Sequence, residues 1–336
     1  EHTSPLFASI RDVVRFIKGS ISDADTVATA LEGQEAVVHL AAETGTGQSM
    51  YEITRYVDVN VGGTAVLLQR IANHPTTVRK VVVASSRAVY GEGKYIDSEG
   101  NEVYPRTRSA EDLRAGLFEP RCEKTGAPLS AQATDERSRL DPSSVYGITK
   151  LNQEQMVLTV CGAIGIGAAA LRYQNVYGPG QSLRNPYTGI LSIFSTRILN
   201  GKPINVFEDG RESRDFVYID DVIEATHRAL FRPTSSGHAI GIGSGVATDV
   251  LTVARSLVAL YGREVPIEVT GAFRVGDIRH NYADLALARR LLEFSPSVSF
   301  EQGLATFAEW VKRQEVSEDG YDRSISEMAA KGLFRQ

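Results

Sequence analysis

Cysteine is scarce. Cys122 and Cys161 are the two in a chain of 336 residues, and two supply neither a disulfide framework nor a four-ligand metal site. A reducing cytoplasm is therefore the expected compartment. No run of about 18 apolar residues occurs, so no membrane span is expected, and no secretory leader pattern is visible. Positive charge is not in excess. With 36 Lys and Arg against 41 Asp and Glu, the net charge is −5, which leaves no electrostatic footprint for nucleic acid. Also lacking is a G-x-G-x-x-G turn between a strand and a helix. Gly45-Thr46-Gly47 misses the third glycine. Gly162, Gly165 and Gly167 are spaced in the wrong order and precede a strand. Gly241, Gly243 and Gly245 lie far downstream. All three groups read as turns. No internal repeat or low-complexity tract is present.

What remains is an ordinary globular composition, 42% hydrophobic and 23% charged, with strand and helix patterns in alternation. Residues 13–17 read as a strand, 23–31 as a short helix ended by Gly33, and 35–42 as a buried parallel strand. One long helix covers 49–73, the next strand 80–85, a helix 146–160 and a strand 167–173. This order predicts an α/β fold with a doubly wound parallel sheet. After Tyr177 the chain becomes rich in Gly and Pro and a second, smaller α/β region begins. That region should hold a helix over 187–199, a strand over 203–207 and an amphipathic helix over 300–314 with Trp310 in the core. The expected domains are 1–177 and 178–336, with 214–232 returning to the first. Residues 316–336 are polar and mixed and read as a loosely docked tail. Residues 91–142 form a long polar insertion, read as a metal-free flap or interface loop.

Three stretches carry chemistry. In Ser143-Ser144-Val145-Tyr146-Gly147-Ile148-Thr149-Lys150, a tyrosine and a lysine stand four residues apart. That is about one helical turn, so both project from one face. A phenol has a reference pKa near 10 and is a poor base at neutral pH, and a nearby ammonium favours its ionised form. Lowering the pKa by about three units needs roughly 4 kcal/mol of differential interaction. The second stretch runs from Lys80 to Gly91 and ends its apolar run in Ser85 and Ser86. The third is Leu171-Arg172-Tyr173-Gln174-Asn175-Val176-Tyr177-Gly178-Pro179-Gly180.

In this order, the three resemble the extended short-chain dehydrogenase/reductase family, in its nucleotide-sugar epimerase/dehydratase branch, over about residues 13–313. The resemblance implies a Rossmann-type domain holding NAD and a smaller domain holding a nucleotide-diphosphate sugar. It implies a catalytic set of Tyr146 as base, Lys150 as the cation beside it and Ser86 bonded to the oxygen that loses its proton. Ser85, Ala84, Tyr173 and Val176 would line the cofactor, together with Leu40, Ala41 and Ala42 at a strand end and Ser20 and Ile21 at the adenine. Asn60 matches an asparagine that orders the cofactor loops, with a helix-interior polar contact as the equal alternative. His39 reads as a satisfied core histidine. Toward the substrate would stand Thr44, Arg87, Asn175, Gly189, Asn205 and Phe207, with Arg214 and Arg274 on the diphosphate and Asp277 on the ribose.

This branch opens on a strand, a glycine-rich turn and a helix that holds the cofactor pyrophosphate. That unit is not in the 336 residues, and 13–17 take the place of the family's third strand. A preceding segment of about 30 to 50 residues is therefore expected. Ser20-Ile21 also departs from the Asp usual at the adenine.

The positions after Ser86 separate reaction classes. Dehydratases of the branch carry an Asp-Glu pair there, and glucuronate decarboxylases a Glu two places on. This chain has Arg87 and Ala88, and alanine does no acid–base chemistry. The pattern left is that of a 4-epimerase. The insertion and the stretch Asn185 to Gly189 lean toward a clade acting on dTDP-L-rhamnose, although the one surviving cysteine there, Cys122, completes no metal knuckle. An NAD(P)H-dependent 4-ketosugar reductase and a catalytically silent nucleotide-sugar binder remain as alternatives. Pairing of the helices at 49–73 and 143–162 across a two-fold implies a homodimer.

Overall fold

The computed structural model describes residues 5–185, 189–315 and 320–335. Sequence readings that fall on 1–4, 186–188, 316–319 and 336 lie outside the described residues. Six strands organise the site: β1 (Ala36–His39), β2 (Lys80–Ser86), β3 (Gly167–Tyr173), β4 (Asn175–Tyr177), β5 (Ser213–Tyr218) and β6 (His238–Ile242). The main sheet has the order β1-β2-β3-β6 and is parallel throughout. Val81, Val82 and Val83 are fully buried, as expected of a parallel strand covered on both faces. One cover is made by Ala24–Leu31, by α1 (Gly63–Asn73) and by α2 (Val145–Ala163), with Leu67, Ile71 and Val157 in its core. The other is made by α3 (Ile219–Phe231) and Ala286–Leu292, with Val222, Ala225 and Leu292 inside. The sheet is thus doubly wound.

Directly after β3 the chain turns at Gln174 into β4, which pairs with β5 in a second sheet. Beyond it lies a separate apolar core with Phe194, Ile198, Phe216, Leu257 and Phe307, against which Trp310 is partly buried. The short strand expected over 203–207 is Ile204–Val206, paired with Ile267–Val269.

Several expectations are corrected. Residues 13–17 form no strand, and Val13 is 80% exposed. An extended segment becomes a strand only when a neighbour takes its backbone N–H and C=O groups, and β1 has no second partner among the described residues. Gly241 lies inside β6 rather than in a turn. The helix expected over 49–73 is broken into Thr46–Ser49, Ile53–Tyr56, a π-helical turn Val57–Gly62 and α1. The wide turn carries Asn60, whose side chain is fully buried, and such π-turns often mark functional positions.

The insertion is structured. Tyr95–Ile96 pairs with Glu102–Val103 and Ser130–Ala131, and its charged side chains enter a buried ion network. Arg279 is fully buried, and it binds Glu119 at 2.6 Å, Asp209 at 2.7 Å and Glu208 at 3.0 Å. Arg108 joins Glu208 at 2.8 Å to Glu92 at 3.2 Å. The tail is not loosely docked either. It forms α4 (Tyr321–Ala330), followed by Phe334–Arg335 paired antiparallel with Phe273–Arg274. Tyr321, Ser324 and Met328 repeat at spacings of three and four, the period of one helix face, and all three are buried.

Candidate active site

The N-terminus of α2 is held against the end of β2. The Ser144 side chain caps the helix by accepting from the Gly147 N–H at 3.1 Å. A Cβ on Gly147 would stand 2.6 Å from the Ala88 carbonyl oxygen, so glycine permits the approach. The N–H of Tyr146 donates to Ser49 Oγ at 3.0 Å. These contacts set the Tyr146 phenol beside Ser86, and the two side chains hydrogen-bond. Burial pushes that phenol above its ordinary range, while the Ser86 hydrogen bond and the Arg87 charge pull it back.

Lys150 points elsewhere. Its Nζ is buried and donates to Gln153 Oε1 at 2.7 Å, and burial lowers its pKa to about 8. Gln153 continues to Thr64 Oγ1 at 2.8 Å, which also contacts His39 Nε2 at 2.8 Å. His39 is therefore the satisfied core histidine expected, with its pKa lowered to about 4 by burial and by the Lys150 charge. Asn60 accepts from the Glu43 N–H at 2.7 Å and donates to Glu43 O at 3.1 Å and Thr149 Oγ1 at 2.9 Å. Its amide thus ties the loop after β1 to α2.

A cleft of about 330 Å³ opens beyond the strand ends, where ligands of open α/β sheets sit. Thr44, Ser86, Arg87, Tyr146, Asn175, Gly189, Asn205, Phe207, Arg214, Arg274 and Asp277 all line it, as does Val176. Every residue that the sequence placed toward substrate is therefore brought together. Arg214 is rigid. It donates to the carbonyls of Ser213, Ile278 and Arg279 at 2.8 to 3.0 Å and to Asp277 Oδ1 at 3.1 Å. Arg274 reaches Asp277 Oδ2 at 3.0 Å and lies over the Phe207 ring at 5.3 Å, with a buried Nε that lacks a partner. The surrounding arginines hold Asp277 well below the usual carboxylate range against the cost of burial. In this state Asp277 is occupied by two arginines instead of presenting free oxygens.

Other assigned residues lie off the cleft. Ser20 and Ile21 are remote from it, Ile21 packing on Gly63 and the core below β1. Leu40 and Ala41 are exposed at the end of β1, with Ala42 half-buried beside them, and Ala84 is half-buried in β2. Ser85 Oγ is turned onto Glu154 at 2.7 Å, a carboxylate also held by Arg172. The Tyr173 hydroxyl meets Thr226 at 2.7 Å.

Sequence reasoning missed three groups that line the cleft. Glu212 has a buried Oε2 that makes no hydrogen bond and lies 3.9 Å from the Arg279 guanidinium, and burial raises its pKa to about 7. Gln174 also carries an unpartnered oxygen there. The tail supplies Tyr321, Ser324, Ile325 and Met328. Only the last group had a sequence signal, its helical spacing.

A doubly wound parallel sheet, with a tyrosine, a serine and two arginines lining the cleft beyond its strand ends, is the arrangement of a nucleotide-binding enzyme of the short-chain dehydrogenase/reductase type. The chain belongs to the NAD dependent epimerase/dehydratase family, whose profile matches residues 2–110 and 122–243. It is 43% identical over 281 residues to a dTDP-L-rhamnose 4-epimerase of Burkholderia thailandensis, covering 83% of this chain and 76% of that protein. A UDP-glucuronate 4-epimerase of Thermodesulfobacterium geofontis is 30% identical over 82% of this chain and 72% of its own. Among solved structures, the UDP-glucose 4-epimerase of Thermotoga maritima with UDP-glucose matches with a TM-score of 0.72, at 27% identity over 89% of this chain and 84% of that one. The UDP-glucuronic acid 4-epimerase of Bacillus cereus, in complex with UDP-glucuronic acid and NAD, gives 0.72 at 26% identity, over 91% and 86%.

Proposed function

We propose that this protein is an NAD-dependent nucleotide-sugar 4-epimerase, with dTDP-L-rhamnose the first substrate to test. The observation that carries the reading is the convergence of Tyr146 and Ser86 with Arg214, Arg274 and Asp277 in one cleft, with Ala88 where an acid would be needed for elimination or decarboxylation. The exposed Leu40 and Ala41 at the end of β1, and the buried Lys150 ammonium with a single hydrogen-bond partner, fit the nicotinamide half of a dinucleotide laid across the strand ends. NAD supplies a reversible acceptor for the hydrogen on the sugar C4. Tyr146, as phenolate, takes the proton of the 4-hydroxyl, and Ser86 holds that oxygen. Arg214 and Arg274 suit a diphosphate, because planar guanidinium groups meet its oxygens with several donors at once. While they retain it, the 4-keto sugar would turn over and offer the other face of C4 for return of its hydrogen, and Tyr146 would give the proton back to the 4-oxygen.

The test is a proton NMR time course of the protein with dTDP-L-rhamnose and, separately, UDP-hexoses, with no cofactor added. A second anomeric signal rising to a constant ratio is the expected result. Turnover only with a 4-keto sugar and added NADH or NADPH would replace this reading with a reductase.

The same reading includes a homodimer. Ile53, Val57 and Ile148 are exposed on the neighbouring turns of Ile53–Tyr56, Val57–Gly62 and α2, an apolar face suited to burial against its copy. Sedimentation at micromolar concentration should give the dimer mass, and a monomer there would end this part of the proposal.

A further inference from the structure

Tyr321, Ser324, Ile325 and Met328 of the tail helix α4 line the cleft, and one of them brings a polar group that the rest of the chain leaves unused. Ile325 and Met328 are apolar. The Ser324 hydroxyl donates to the Tyr321 carbonyl at 2.8 Å within the helix. The Tyr321 hydroxyl is buried, and among the described residues no group makes a well-formed hydrogen bond with it, although the Asn205 side chain stands next to it. A hydroxyl is costly to bury unless a partner meets it. The ring itself is held in place. The Arg197 guanidinium lies over it at 4.6 Å, and Arg197 is fixed by the Pro203 carbonyl at 2.7 Å and by Asp322 at 2.8 Å.

The helix gives the cleft a direction. Met328 stands at the catalytic end, with its Sδ 3.1 Å from where a Cβ on Gly47 would lie, and it shares a small pocket with Thr46, Arg87, Ala88 and Ser143. Tyr321 comes seven residues earlier, about 10 Å back along the axis, against the helix Ile190–Leu199 of the smaller domain. That domain also lines the cleft with Leu191, Asn205 and Phe207. A nucleotide sugar with its C4 at Tyr146 and its diphosphate at Arg214 and Arg274 has one part left for this end, the nucleoside. Leu191 and Phe207 are apolar walls suited to a flat ring. A phenol and an amide each offer a donor and an acceptor, which is what the alternating carbonyl and N–H edge of a pyrimidine base requires.

We propose that Tyr321 is a specificity-determining residue that hydrogen-bonds the pyrimidine base of the nucleotide sugar, so that the tail helix reads the nucleotide. The inference rests on the reading of the cleft as a nucleotide-sugar site and names the group that selects the base. Burial pushes the phenol above its ordinary range, so it is neutral at neutral pH and keeps both its proton and its lone pairs.

The test is calorimetric titration of the NAD-loaded wild type and Tyr321→Phe with UDP, dTDP and GDP. UDP and GDP share ribose and diphosphate and differ in the base alone. Tyr321→Phe deletes an oxygen that holds nothing else in the chain and keeps the ring under Arg197, so the melting temperature should stay within about 2 °C of wild type. UDP and dTDP should each bind about tenfold more weakly, the scale of one lost hydrogen bond, and GDP should not change. KM for the nucleotide sugar should rise by the same factor. Unchanged affinity for UDP and dTDP would overturn the proposal. So would an equal loss for GDP, which would put Tyr321 on the shared ribose and diphosphate. Weakened UDP and dTDP binding in a protein that turns over no sugar would uphold the base contact and remove the epimerase reading instead.

Discussion

Tyr146→Phe is expected to lose turnover by roughly a thousandfold or more, within the usual reach of a removed general base, while binding the nucleotide sugar within a few-fold of wild type. The backbone of Tyr146 is placed by contacts that the substitution leaves alone, namely the Ser144 cap, the Ser49 hydrogen bond and the close packing of Gly147 on Ala88. Phenylalanine keeps the ring and its edge contact with Tyr56, so the cleft keeps its shape. What disappears is the oxygen that bonds Ser86. No substitute stands ready. His39 is buried against Thr64 and Gln153, and Lys150 Nζ is committed to Gln153. Single-turnover NMR and calorimetric titration together separate the two quantities. Turnover within tenfold of wild type would rule out Tyr146 as the base.

Arg279→Met is expected to cost about 3 to 5 kcal/mol of stability, the scale for breaking a buried ion pair by removing one partner. Arg279 is fully buried, and its donors are shared among Glu119, Glu208 and Asp209, with Glu212 at 3.9 Å. Methionine fills similar space but leaves several carboxylates facing one another, with only Arg108 still bridging Glu208 and Glu92. Urea unfolding at neutral pH should show the loss. A change under 1 kcal/mol would mean that the acids relieve one another by taking up protons. The wild type carries a matching pH signature. Arg279 and His280 hold Glu119 at a pKa of about 2, below its ordinary 4.5. A carboxylate with a depressed folded-state pKa stabilises above its unfolded value, and that contribution disappears as pH falls from about 4.5 to about 2.

The parts of the fold legible in the sequence were those fixed by local pattern. The apolar run 80–85 and the small-residue run 167–173 could only be buried parallel strands, and they are the centre of the sheet. The residues that line the cleft were legible because Arg214, Arg274 and Asp277 sit in recognisable stretches, and all of them meet there. What depends on distant partners was not legible. Residues 13–17 have strand composition but, among the described residues, no neighbour to pair with. Lys150 is one turn from Tyr146, yet Gln153, three residues further on, captures its ammonium. The insertion looked like a loop because its charges seemed solvated. Their partners, Arg279 and Glu208, lie far along the chain and no local period announces them.

The tail helix has a consequence for fidelity. Tyr321, Ser324, Ile325 and Met328 close one side of the cleft, and the helix is pinned by Arg197 on Asp322 at 2.8 Å and by Lys331 over the Tyr51 ring at 4.7 Å. A reaction that passes through a ketone is vulnerable to leakage. If the ketone escapes halfway, the enzyme keeps a reduced cofactor and is spent until a reoxidising partner arrives. On the proposed mechanism, a wall built from this helix would lengthen the stay of that half-reacted sugar. On this mechanism the tail governs how many cycles the enzyme completes before abortive release, more than how fast each cycle runs.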